Sequence, residues 1–179
     1  MDRIDFEIDG QDEENDLTMR AIGSASHIGK PNGGGRGIFG NSARVSWVEF
    51  TKGFDNDGNR VTINPRYNAD YQHGDVVVTY DADDTIVKVT ASKDDQVVTI
   101  SQKLNDDNMV SPTLSRDGSL SLEWDRKLDG GNSVRTKLNP NRSIEVEWKD
   151  EAWTANVVFP MDSDDLKGAT VHIKRDVKF

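Results

Sequence analysis

Three histidines, His27, His73 and His172, are the side chains best suited to proton transfer or metal ligation near neutral pH. None stands at a metal-ligand spacing from another. His27 lies in a glycine-rich stretch, His73 in a loop, and His172 on the polar side of an alternating run. The chain contains no cysteine, which excludes disulfides, thiolate metal sites and cysteine nucleophiles. No Gly-x-Ser-x-Gly is present to hold a serine on a strained turn. With 32 acidic residues, a carboxylate pair for glycosidic chemistry arises in many folds, so acids alone point to no reaction. The residues with chemistry therefore describe a protein that is not an enzyme, with no catalytic, cofactor-binding or metal-binding residue to assign.

Two motifs have the letters of a site without its context. Gly35, Gly37 and Gly40 match G-x-G-x-x-G. A dinucleotide fingerprint needs a strand before it and a helix after it, so that pyrophosphate meets a helix N-terminus; here a glycine-rich coil precedes and a strand follows. Asp55, Asp57, Gly58 and Asn59 suggest a calcium loop. An EF-hand places glycine sixth and glutamate twelfth, whereas Arg60 and Arg66 hold those positions. A hairpin turn is the better reading. The acidic turns at Asp81/Asp83/Asp84, Asp106/Asp107 and Asp162/Asp164/Asp165 read as solubility and edge protection. Asn141-Arg-Ser143 is a formal glycosylation sequon, relevant only in a secretory context.

The elements that would position these residues are strands. The chain has 179 residues, 34% of them hydrophobic and 30% charged, with 22 basic against 32 acidic and a net charge of -10. That field repels phosphate backbones, and no basic stripe offsets it, so nucleic acid is not an expected partner. The same field disfavours anionic membrane surfaces. No apolar run approaches the ~18 residues of a transmembrane helix, and the N-terminus has no apolar core of a signal peptide. From residue 75, short alternating runs recur at 75–80, 85–91, 96–104, 109–115, 119–126, 133–138, 142–149, 152–159 and 169–179, separated by Asp, Asn and Gly turns. The expected fold is all-β: an antiparallel meander forming an open sheet, a sandwich or a partial barrel, preceded by a long irregular N-terminal arm. The expected organisation is an extended, loop-rich region over 1–74, with one hairpin at 43–63 stopped by Asn64-Pro65, and a meander domain over 75–179. The acidic run 10–18 reads as loose and solvated.

The runs 119–125 and 143–149 share a pattern, with Leu120, Leu122 and Trp124 alternating in one and Ile144, Val146 and Trp148 in the other. Pattern alone explains that likeness better than duplication. Trp124 and Trp148 are expected on a buried face, where truncation to alanine would cost roughly 3–5 kcal/mol. The C-terminal run, Val171 to Phe179, alternates and ends in phenylalanine, as outer-membrane barrels often do. Two points count against a barrel wall. Arg175 falls within the lipid-facing row, and most of the expected strands are shorter than the roughly 9–11 residues that span.

The glycine-rich arm from His27 to Gly40, set before a meander carrying the runs at 143–148 and 153–159, resembles β-rich, nuclear-encoded plastid proteins of diatoms, in particular a peripheral subunit of the photosystem I supercomplex. That resemblance implies a non-catalytic structural subunit of a larger assembly, with photosystem I core subunits as partners, at the stromal face of the thylakoid and with no membrane-spanning segment. A small-ligand-carrying β-barrel is the alternative, and an outer-envelope pore a further one. On the residues themselves, 10–42 reads as a partner-binding arm with Lys30, Arg36 and Phe39 as contacts, because a glycine-rich, acidic segment orders only against something else, and arginine and phenylalanine favour interface centres.

Overall fold

The computed structural model describes residues 3–26, 43–161 and 168–176. Thirteen strands follow chain order in one antiparallel sheet: β1 (Arg3–Asp12), β2 (Leu17–Ser26), β3 (Ala43–Asn56), β4 (Asn59–Asn68), β5 (His73–Ala82), β6 (Thr85–Ser92), β7 (Gln96–Asn105), β8 (Asn108–Ser115), β9 (Leu120–Lys127), β10 (Ser133–Asn139), β11 (Ser143–Lys149), β12 (Trp153–Pro160) and β13 (Thr170–Arg175). The sheet is not closed, since β1 and β13 end the order without pairing each other. The chain divides into two compact units, Met1–Tyr80 with Val89–Asp95, and Asp81–Lys88 with Gln96–Phe179.

The all-β meander is as the sequence predicts, and each run expected from residue 75 onward has its strand. The expected boundary at 74/75 does not separate sheet from arm. Residues 3–26 form a hairpin in which Arg3 pairs Ser26 and Asp12 pairs Leu17. The run 10–18, read as loose and solvated, divides: 10–12 close β1, 13–16 form the turn and 17–18 open β2, while ahead of it Asp5, Glu7 and Asp9 alternate with Ile4, Phe6 and Ile8. Only the turn between Asp12 and Leu17 breaks the ladder. The contacts expected of Lys30, Arg36 and Phe39 lie outside the described residues.

β3 and β4 run past their expected ends, through Pro65. Proline has no N–H for the ladder and is rare inside a sheet. Asn64 compensates: its side-chain amide donates to the Phe50 carbonyl at 2.8 Å and to Thr51 Oγ1 at 2.8 Å, across from Pro65. The β3–β4 turn is the expected hairpin. Asn56 pairs Asn59, and Asp57 (φ 49) and Gly58 (φ 85) both take positive φ, the geometry of a two-residue turn matched to strand twist. Asp55, beside this turn, is held by Arg60 at 2.9 Å.

Hardly any side chain is buried. Among the described residues Ala25, Val77 and Ser111 are, and no large side chain is fully enclosed. The expectation for the tryptophans is half right. Trp124 and Trp148 continue the apolar rows, yet remain 38% and 37% exposed among the described residues.

Candidate functional site

Cross-strand partners share a face of a sheet, so registers sort the side chains. In the first unit, Ile8, Ala21, Val48 and Tyr67 form one row across β1–β4. The next row, on the opposite face, is Asp9, Arg20, Glu49 and Arg66, and Asp75 on β5 extends it through its ion pair with Arg66. Charge alternates along that row from β1 to β5. Arg20 Nε donates to Glu7 at 2.6 Å, and Asn64 donates to Glu49 at 2.9 Å. Ile22 and Trp47, paired on this polar face, are exceptions to the division.

The second unit repeats the arrangement. Pro112, Leu122, Leu138, Ile144 and Phe159 form one apolar row, and Val110, Trp124, Thr136, Val146, Val157 and Val171 the next. Between them on the opposite face stand Glu123, Lys137 and Glu145, and then Asp125, Arg135, Glu147, Asn156 and His172. Arg135 Nε donates to Asp125 at 2.7 Å and lies 3.4 Å from Glu123. His172 is thus on the polar face, as its alternation predicts, and His73 opens β5. Among the described residues no three histidine, aspartate or glutamate side chains converge to hold a metal ion.

Arg66 and Asp75 make the most sheltered ion pair of the polar face, with side chains 32% and 17% exposed. Arg66 Nε donates to Asp75 Oδ1 at 2.9 Å, and Nη2 donates to Oδ2. Those hydrogen bonds hold the Asp75 carboxyl below the usual carboxylate range, against the opposing effect of its partial burial. A depressed carboxylate contributes stability that is complete above the unfolded value, near pH 4, and is lost as pH falls through the lower folded value. Asp75→Asn is expected to cost about 1–3 kcal/mol at neutral pH. It should also flatten the acid limb of a stability-versus-pH curve measured by denaturant titration. An acid limb unchanged by the substitution would contradict this role for the pair.

The two faces differ most in where they carry charge. On the apolar face of β1–β5 and β7–β13 the charged residues are Asp12, Lys52, Arg126 and Arg175. Asp12 ends β1, Lys52 stands opposite Leu17 at the start of β2, Arg126 is opposite Asn108 at the start of β8, and Arg175 ends β13. Asp12, Arg126 and Arg175 thus sit at or next to the ends of their own strands, whereas Lys52 is inside β3, level with the neighbouring β1–β2 turn. No family model matches the chain, and no curated protein matches it. The two sequence arguments against a barrel wall change in part. Arg175 is the last residue of β13, and Val177 and Phe179 of the expected row lie outside the described residues. β1–β5 and β7 each run ten residues or more, whereas β6 and β8–β13 run six to eight, so most strands are as short as expected and the length argument changes only for β1–β5 and β7. No helix among the described residues is long and apolar enough to cross a membrane; strands are a separate matter.

Proposed function

We propose that this chain forms the wall of a transmembrane β-barrel, with its apolar face against lipid and its polar face lining an aqueous passage for small hydrophilic solutes. The observation that carries this reading is the distribution of charge. Among the described residues the apolar rows hold four charged side chains, Asp12, Arg126 and Arg175 near the ends of their strands and Lys52 level with the β1–β2 turn, while the opposite face is threaded with ion pairs. Soluble monomers rarely expose apolar patches beyond a few hundred Å², yet here Ile8, Met19, Ile63, Leu122 and Ile173 are among many large apolar side chains more than a third exposed. A ten-residue strand such as β4, tilted by ~45°, rises about 23 Å, close to the ~25 Å apolar band of known barrels. Aromatic residues stand near strand ends in both units, with Phe54 and Tyr67 in the first and Trp124, Trp148 and Trp153 in the second. Tryptophan and tyrosine favour that depth at a membrane interface. A bilayer further requires β1 and β13 to find backbone partners, because an open edge has no water there to satisfy it. Taken with the resemblance to plastid proteins, the membrane proposed is the plastid outer envelope.

Reconstitution tests this. The full chain, refolded into phospholipid vesicles, is expected to resist extraction by alkaline carbonate and to give stepwise conductance in planar bilayers. Recovery as a soluble, stoichiometric complex with another protein, and no conductance, would overturn it in favour of the peripheral-subunit reading.

A further inference from the structure

One edge of the second unit carries an ordered series of side chains on its apolar face. Trp124 and Arg126 are the last two face residues of β9, Trp148 is the last of β11, Trp153 opens β12 and Arg175 closes β13. Their registers place them side by side: Val134 pairs both Arg126 and Trp148, Trp148 pairs Ala155, and Trp153 pairs Arg175. The Arg175 guanidinium lies 5.1 Å from the centre of the Trp153 ring, and Trp124 Nε1 donates to Asn108 Oδ1 at 3.2 Å. Arg126 has no carboxylate partner among the described residues, although acids are abundant just beyond it. Asp107, Asp129 and Glu151, all exposed, occupy the turns at this same edge. Read outward from the aliphatic rows, Trp124 comes first, Arg126 and Trp148 share the next row, Trp153 and Arg175 share the row after it, and the carboxylates of the turns lie beyond, so indoles and guanidiniums form one band with the acids outside it. In the first unit Lys52 Nζ likewise lies 5.4 Å from the centre of an aromatic ring, that of Phe54.

That order matches a zwitterionic phospholipid headgroup, whose phosphodiester lies just outside the acyl chains and whose ammonium lies farther out. Guanidinium groups bind phosphate oxygens through paired, charge-assisted hydrogen bonds, and indoles sit at the depth of the glycerol region. The geometry points to this edge as a headgroup-binding rim selective for zwitterionic phospholipid, with Arg126 and Arg175 on the phosphate and the acidic turns facing the ammonium. The selection is two-sided. A galactolipid offers no phosphate to the arginines, and an anionic phospholipid brings no ammonium to the carboxylates, which then repel it.

The inference rests on the proposed membrane insertion, and the test keeps the two apart. Wild type, R126Q/R175Q and R126K/R175K are refolded into vesicles of phosphatidylcholine, phosphatidylglycerol or digalactosyldiacylglycerol, and stability in each is measured by urea titration of tryptophan emission. Wild type is expected to be most stable in phosphatidylcholine, with an unfolding constant about tenfold lower than in either other lipid, on the scale of one interfacial cation. The glutamine variant should lose that preference while still inserting in all three, and the lysine variant should recover part of it. Equal stability of wild type in the three lipids, greatest stability in phosphatidylglycerol, or a glutamine variant that keeps the preference would overturn the headgroup assignment and leave the barrel reading standing. Failure of wild type to insert in any lipid would overturn both.

Discussion

Leu122→Arg is expected to cost about 2–4 kcal/mol of folding stability in a bilayer, the penalty for a cation on the lipid face of a barrel near its midplane. The neighbouring Ser121→Arg should cost well under 1 kcal/mol, because it faces water. The two positions differ by one residue and by face: Leu122 pairs Leu138 and Pro112, and Ser121 pairs Thr113 among hydroxyl side chains. Leu122 is 41% exposed. If water covered both faces, an arginine at either site would behave as an ordinary surface substitution, within ~0.5 kcal/mol of neutral. Contrast between the pair, rather than either value alone, therefore reports what covers the apolar face. Urea titration of each variant in phosphatidylcholine vesicles reads it directly, and equal costs would sink the lipid assignment.

How far the sequence carried the fold can be judged from particular elements. Asp57-Gly58 and the Asp-rich turns after residue 80 were legible because positive φ and side-chain caps select Gly, Asn and Asp. The strands between them were legible from alternation. The β1–β2 hairpin was not, because an acidic run is also what a solvated loop contains, and only the pairing of Asp9 with Arg20, and of Arg20 with Glu49, shows a ladder leading into it. Pro65 looked like a stop because its substitute donor, the Asn64 amide, acts through a side chain. The candidate site was the least legible part. Alternation within one strand shows that it has two faces and not what covers either. That Arg126, Arg175 and Asp12 lie at or next to the ends of their strands on one face, and that Lys52 on the same face stands level with the β1–β2 turn, are properties of registers between strands, which single-strand patterns do not contain. The same blindness produced the expectation of buried tryptophans, since apolar rows and missing water are inferred together when no second layer is known to be absent.

The second large effect expected is on folding itself. Diluted from urea into buffer without amphiphile, the chain should fail to form its protected sheet; diluted into phosphatidylcholine vesicles or zwitterionic micelles, it should form it. Ordering a residue costs roughly 1–2 kcal/mol of backbone entropy, and a hydrogen bond exchanged with water returns only about 0.5–1.5 kcal/mol. A globular domain makes up the difference by burying apolar side chains. Here the described residues bury Ala25 and Val77 and leave Phe50, Ile100, Leu120, Trp153 and Val171 between 40% and 58% exposed. Withdrawing such a side chain fully from water contributes on the order of 1 kcal/mol at these exposures. Over the many residues of the apolar face, lipid therefore supplies the stabilising contribution that a second layer supplies elsewhere. Hydrogen exchange followed by mass spectrometry distinguishes the outcomes strand by strand: slow exchange across β7–β12 only when amphiphile is present supports a membrane-formed sheet. Equal protection of those strands in plain buffer would mean that the chain stabilises its own apolar face, and the barrel reading would fail with it.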